Sequence, residues 1–213
     1  MKKACSKPLR GDIKHAAIVA AGKGLFLKQG FSSTSMDDVA REAGVSKRTV
    51  YDHFSSKEVL FKSLLKQHWQ QVFVAEEELF AEHKTIAQNL KSFANTFLTF
   101  LYQPDTIDLF RLLIAENNQF PNLVDEIVTA EKMPFTRALA EFLQRKKSSG
   151  ELAIKDAKRA AAFFMGLLKE CHFWPMMLGL TQQKRLLEPH KLINEVVALF
   201  LRAYALRDGY SRC

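Results

Sequence analysis

The 213 residues are 47% hydrophobic and 25% charged, the composition of a chain able to bury one sizeable core or two modest ones. The net charge of +8 is unevenly placed: residues 1–66 hold 13 Lys and Arg against 6 Asp and Glu, residues 67–213 hold 18 against 17, so the first third is expected to meet a polyanion. No apolar run reaches the roughly 18 residues of a membrane span, and Cys5, Cys171 and Cys213 have neither a disulfide framework nor a metal-ligand spacing; the expectation is a cytoplasmic protein without metal or cofactor.

Residues 1–11 read as a mobile basic arm, with contact to DNA backbone and simple disorder both open. A first helix is expected from Asp12 to Gln29, its inner face formed by Ile13, Ala17, Ala20, Ala21, Leu25 and Phe26. Gly22 and Gly24 lie inside it, each costing about 1 kcal/mol against alanine, which implies either a loose helix or close packing at those positions. Ser35 with Asp38 three residues on has the spacing of a capping box, so a short helix starts near Met36, and Gly44 ends it as a left-handed C-cap. Ser46 caps a second short helix, Lys47 to His53, with Val50 and Phe54 facing inward and Lys47, Arg48, Thr49, Asp52 and His53 outward. Ser55 with Glu58 repeats the capping spacing. Helices of about seven residues do not persist alone in water, so both must pack on neighbours, as in a helix-turn-helix unit.

Beyond this head, Ser56 to Phe80 reads as one long amphipathic helix. Further helices are expected over Thr85–Tyr102, Pro104–Asn118 and Pro121–Lys147, the last kinked at Pro134. The segment Asp156–Leu178 is apolar nearly all round between Ala160 and Leu168, which a surface helix is not. A final helix, Pro189–Arg207, carries one stripe of Leu192, Ile193, Val196, Val197, Phe200 and Tyr204. No strand pattern, repeat or low-complexity segment competes. The expectation is an all-α chain with a three-helix DNA-binding domain over residues 1–56 and a C-terminal helical bundle over residues 57–213.

Lys47, Arg48 and Thr49 stand in the first turn of the second short helix, the part of a recognition helix that meets base edges. Arginine can bond guanine in bidentate fashion, while Lys, Ser, Thr and Tyr commonly hold phosphates. A membrane surface is the competing anion, but that helix lacks the outward Trp, Phe and Leu that an interfacial helix buries.

The run from Ile18 to Leu60, with Ala20-Ala21, Leu25-Phe26, Gly30-Phe31, Thr34, Val39-Ala40, Ala43-Gly44-Val45-Ser46, Tyr51, Phe54 and Lys57-Glu58, resembles the DNA-binding domain of the TetR family of bacterial transcriptional regulators. The segment Phe110–Gly179, with Ala115-Glu116, Phe120-Pro121 and Gly166, resembles one of that family's C-terminal domain types. The resemblance implies a homodimer whose helical body binds a small molecule and dimerises, and which represses until that molecule arrives. It also implies phosphate contacts at Thr34, Ser46, Tyr51, His53 and Lys57, and base contacts at Lys47, Arg48 and Thr49.

Three further expectations concern the body. A twofold dimer is expected to pack Phe163, Leu167, Val197, Phe200 and Tyr204 against their mates, which calls for a near-palindromic DNA operator. An effector cavity is expected among Phe93, Phe97, Phe100, Glu116, Asn117, Phe120, Phe164, Cys171, His172, Trp174 and Met177, a mixture of rings, thioether and polar anchors that suits a small, mostly apolar, even cationic ligand. The alternative is that these rings only fill the core. No Gly-rich phosphate loop, HExxH, Gly-x-Ser-x-Gly or CxxC is present, so an enzyme is not expected; the competing reading is a helical ligand-binding or protein-interaction module without sequence-specific DNA binding.

Overall fold

A computed structural model describes residues 10–72, 79–122, 125, 134–180 and 188–206. Among these, nine helices are assigned: α1 Arg10–Gln29, α2 Met36–Glu42, α3 Lys47–His53, α4 Lys57–Val72, α5 Ile86–Leu101, α6 Thr106–Glu116, α7 Pro134–Ser148, α8 Ala157–Met177 and α9 Pro189–Tyr204. No strand is assigned among the described residues, and a single antiparallel bridge joins Leu152 to Ala205. None of the described helices is long and apolar enough to cross a membrane. The basic arm falls on residues outside the description up to residue 9, as do residues 73–78 of the expected long helix and most of the stretch between Pro121 and Pro134. Pro134 opens α7; Pro104 lies before α6, where Asp105 takes a positive φ of 70°.

The chain separates into two compact units, and the division does not follow the expected boundary at residues 56/57. One unit comprises the described residues up to Trp69 together with Asp108–Asp125. The other holds Gln70–Ile107 and the described residues from Pro134 onward. Both α4 and α6 are therefore shared covalently between the units.

In the first unit, α1 buries Ile18, Val19, Ala21, Gly22 and Phe26. Ile13 and Ala20, expected inside, are exposed: the alanine-rich sequence has apolar residues on several faces, so periodicity alone selected the wrong one. Gly22 is the close-packing case, because a Cβ there would meet Leu60 Cδ2 of α4 at 3.0 Å, whereas Gly24 faces open space. Phe26, Phe31 and Phe61 meet edge-on or tilted at centroid distances of 5.2–5.4 Å, the offset arrangement that ring quadrupoles favour.

The second unit is built on an aromatic core. Phe135, at the start of α7, is touched by Phe93, Phe97 and Phe100 of α5 at 5.9, 5.4 and 5.3 Å. Phe80 stacks on Phe142 at 4.2 Å, and Phe164 of α8 reaches both Phe93 and Phe200 of α9. Thr85 and Gln88 form a capping box that starts α5, and Asp156 caps α8.

Candidate nucleic-acid interface

The helix-turn-helix forms as its punctuation requires. The Ser35 hydroxyl accepts from the Asp38 N–H at 3.1 Å, and the Asp38 carboxylate accepts from the Ser35 N–H at 3.2 Å. Hydrogen bonds from Ser35 hold the Asp38 pKa below the usual carboxylate range. At the other end of α2, Gly44 has φ +65°. Its N–H donates to Arg41 O at 3.2 Å, and the Val45 N–H donates to Ala40 O at 3.0 Å, the paired bonds of a Schellman turn. Ser46 then caps α3 by accepting from the Thr49 N–H at 3.1 Å. Val50 and Phe54 are buried beneath α3, which turns its opposite face outward.

That outward face carries the expected reading residues. Arg48 is exposed and makes no hydrogen bond or ion pair among the described residues. Lys47 is exposed but pairs with Asp37 across the turn at 2.9 Å, and that hydrogen bond raises its pKa. The pair is exposed and screened by solvent, so it orients Lys47 without removing it from competition by a phosphate. Thr49 Oγ1 lies 2.8 Å from Ser46 Oγ. Tyr51 is exposed, and the half-buried His53 packs its ring edge-on against His15 at 5.9 Å.

Two of the residues expected to contact phosphate are engaged within the protein. Thr34 is buried, and its hydroxyl donates to Gly30 O at 2.8 Å. Lys57 points back from the start of α4, where Nζ donates to the carbonyls of Phe31, Thr34 and Ser32 at 2.6, 2.9 and 3.2 Å, and lies 4.4 Å from the centroid of the Phe31 ring. An ammonium group has three donors, and all three are engaged. Burial lowers the Lys57 pKa against the opposing charges of Glu58 and Glu116.

The larger departure is Glu116, expected among the body's rings. It belongs to the head's unit, closes α6, and binds the turn between α1 and α2: Oε1 accepts from the Phe31 N–H at 3.0 Å and the Ser32 N–H at 3.2 Å, while Oε2 accepts from the Ser32 hydroxyl. Burial pushes this carboxyl up, but the bonds from Ser32 and Phe31 and the nearby Lys57 charge outweigh it, and its pKa lies below the usual value. Phe120 packs edge-on against Phe31 at 4.9 Å in the same unit; Asn117 is exposed. The sequence signal for this cluster was faint: Ser32 is one of four successive hydroxyl residues after Gly30-Phe31, and its partner is a single acid at a helix end 84 residues away.

In the second unit, Phe93, Phe97, Phe100 and Phe164 converge as expected, but on Phe135 and on one another. His172 is fully buried; its Nδ1 pairs with the Tyr102 hydroxyl, and its Nε2 has no partner among the described residues. Burial lowers the His172 pKa and raises that of Tyr102, so both are neutral at pH 7. Cys171 and Met177 are half-buried, and Trp174 is exposed on α8. A groove of about 1060 Å³ lies elsewhere, along α7 and the start of α8, with Arg137, Arg145, Lys147, Lys155 and Lys158 at its rim.

The expected dimer residues divide between two faces. Phe163 and Leu167 of α8 are 56% and 42% exposed, whereas Val197 and Phe200 are core residues at 2% and 3%. Phe200 packs on Phe164 and Tyr204 at 5.2 and 4.7 Å. The α9 stripe is the face turned into its own chain. Leu199, 54% exposed, sits at the edge of that stripe, seven residues beyond Leu192.

Fold and site together define a class, the helix-turn-helix DNA-binding proteins with an added helical body. The family described as "Bacterial regulatory proteins, tetR family" matches residues 18–64, and "AefR-like transcriptional repressor, C-terminal domain" matches residues 88–206. The chain belongs to the TetR family of transcriptional regulators and is not an enzyme. A crystal structure of a TetR-family regulator from Mesorhizobium loti is 26% identical, superposes with a TM-score of 0.78 and aligns over 93% of this chain and 100% of its own. The flavonoid-responsive regulator FrrA is 30% identical with a TM-score of 0.74, over 91% of this chain and 98% of its own. The HTH-type transcriptional activator FasR of Mycolicibacterium smegmatis is 28% identical over 42% of this chain, and the match spans only 41% of that protein.

Proposed function

We propose that the protein is a homodimeric operator-binding repressor released by a small, mostly apolar effector. The observation that carries the DNA reading is Arg48: an exposed guanidinium, unpaired among the described residues, on the first turn of a helix whose opposite face is buried. Lys47 and Thr49 share its turn, and Ser46, Tyr51 and His53 flank it as phosphate contacts. Repression is favoured by the repressor domain type that matches residues 88–206; FasR, an activator, matches over less than half of this chain. The exposed apolar residues Phe163 and Leu167 supply an isologous interface, with Leu199 added and Val197 and Phe200 acting from beneath. Two reading helices related by a twofold axis call for a near-palindromic operator.

The effector reading rests on the ring cluster and His172. A fully buried imidazole nitrogen without a partner is costly, and a ligand oxygen or N–H could satisfy it. With Glu116 engaged in the head's unit, the body's candidate anchors are neutral, which favours an uncharged aromatic ligand over a cation. FrrA is a flavonoid-responsive regulator, which agrees with that chemistry. The effector can release DNA only by binding two conformations of the body unequally.

The test selects a preferred duplex from random DNA and compares Arg48→Ala with the parent on that duplex and on a scrambled one. A loss of about 1–3 kcal/mol confined to the preferred duplex is expected. Equal losses on both remove Arg48 from base readout.

A further inference from the structure

The turn between α1 and α2, residues 30–34, is held from two sides by side chains far away in sequence. Its N–H groups at Phe31 and Ser32 and the Ser32 hydroxyl meet the Glu116 carboxylate. Its carbonyls at Phe31, Ser32 and Thr34 meet the Lys57 ammonium. Gly30 allows the approach: its φ is +88°, and a Cβ there would lie 3.2 Å from Glu116 Oε1. Charge-assisted bonds of this kind are shorter and about twice as strong as neutral ones, and here they converge on three residues of the turn, Phe31, Ser32 and Thr34.

The turn leads directly into the reading helix. Ser35, the next residue, caps α2, and the Schellman turn and the Ser46 cap join α2 to α3 with no intervening loop that could absorb a misalignment. Two helices of seven residues cannot set their own orientation. Core packing at Val39, Val50 and Phe54 sets which face of these helices turns inward, and residues 30–34, which lead into α2, add a second constraint on the angle at which Arg48 is presented.

We propose that Glu116 is a positioning residue for operator recognition, its carboxylate fixing the 30–34 turn and through it the pose of the reading helix. This rests on the operator-binding reading above and adds to it a residue that touches no DNA.

The experiment uses the full chain and a preferred duplex selected from random DNA. Affinities of the parent, Glu116→Gln, Glu116→Ala and Ser32→Ala are measured on that duplex and on a scrambled duplex, at a temperature where circular dichroism shows all four folded. Amide exchange at Phe31 and Ser32 is followed in parallel. Substitutions that act through coupling rather than contact change affinity about 3- to 30-fold, and a loss in that range is expected for Glu116→Ala on the preferred duplex only. Glu116→Gln keeps one acceptor for the two N–H groups and should fall between parent and alanine, and Ser32→Ala should lose less than Glu116→Ala. Exchange at Phe31 and Ser32 should quicken in the same order. A Glu116→Ala protein that matches the parent on the preferred duplex, or that loses equally on both duplexes, overturns the positioning role. A parent protein that recovers no preferred duplex overturns the operator reading itself, and the positioning role with it.

Discussion

Replacing Lys57 by methionine separates the two roles that this residue could have. Methionine keeps an unbranched apolar stem against the Phe31 ring and removes all three donors. In the structure the loss falls on three carbonyls, of which those of Phe31 and Thr34 are part-buried and that of Ser32 is exposed. A hydrogen bond to a charged group contributes about 1.5–3 kcal/mol when buried, less where water can replace it. Two partly shielded bonds and one exposed bond that water replaces then amount to a loss of about 2–3 kcal/mol. For a chain of this length each kcal/mol moves the midpoint about 2–4 °C, so Tm should fall by about 4–12 °C. The assay pairs thermal unfolding with the salt dependence of DNA binding on a scrambled duplex. The logarithmic salt slope should stay at the parent value, because an ammonium engaged by backbone carbonyls neutralises no phosphate. A variant with an unchanged Tm and a slope reduced by about 1 would show the opposite, that Lys57 leaves the turn and serves as a phosphate contact.

The glycines give a graded series by urea unfolding: Gly30→Ala should cost about 1–2 kcal/mol or more from its left-handed backbone and its crowding of Glu116, whereas Gly24→Ala, in open space within α1, should gain about 0.5–1 kcal/mol. Gly22→Ala brings a Cβ within 3.0 Å of Leu60 Cδ2 and 3.4 Å of its Cγ, a fully buried side chain that must shift to admit it, and should fall between them. The Glu116 carboxyl has a pKa in the fold below its ordinary value of 4.5, so its contribution is present above 4.5 and lost as pH falls through the lower folded value; the stability gap between parent and Glu116→Gln should be constant near neutrality and close in acid. A gap that persists at pH 2–3 would show that the charge is not what matters. Phe163→Glu should yield monomers by light scattering at micromolar concentration with the fold intact by circular dichroism, while Phe200→Glu, at a core position, should unfold the body; monomeric parent protein would refute the dimer.

What the sequence determined by itself was local. The Ser35–Asp38 capping box, the Gly44 turn and the Ser46 cap act over three to five residues, and each helix end they marked appears in the structure within a few residues of its expected place. The exposed first turn of α3 was legible for the same reason, since Val50 and Phe54 fix which way a seven-residue helix must face. The tertiary structure decided the assignments that depend on long-range partners. Glu116 and Lys57 were read as an effector anchor and a phosphate contact, and both are engaged by residues 30–34, partners 84–85 and 23–26 positions away. Nothing in their neighbours along the chain marks a charge that will satisfy backbone groups elsewhere. The same limit explains α1, α8 and α9. Where apolar residues occupy more than one face of a helix, periodicity counts the faces but does not say which meets the core, and only packing separated Ile18 from Ile13, Phe164 from Phe163 and Phe200 from Leu199.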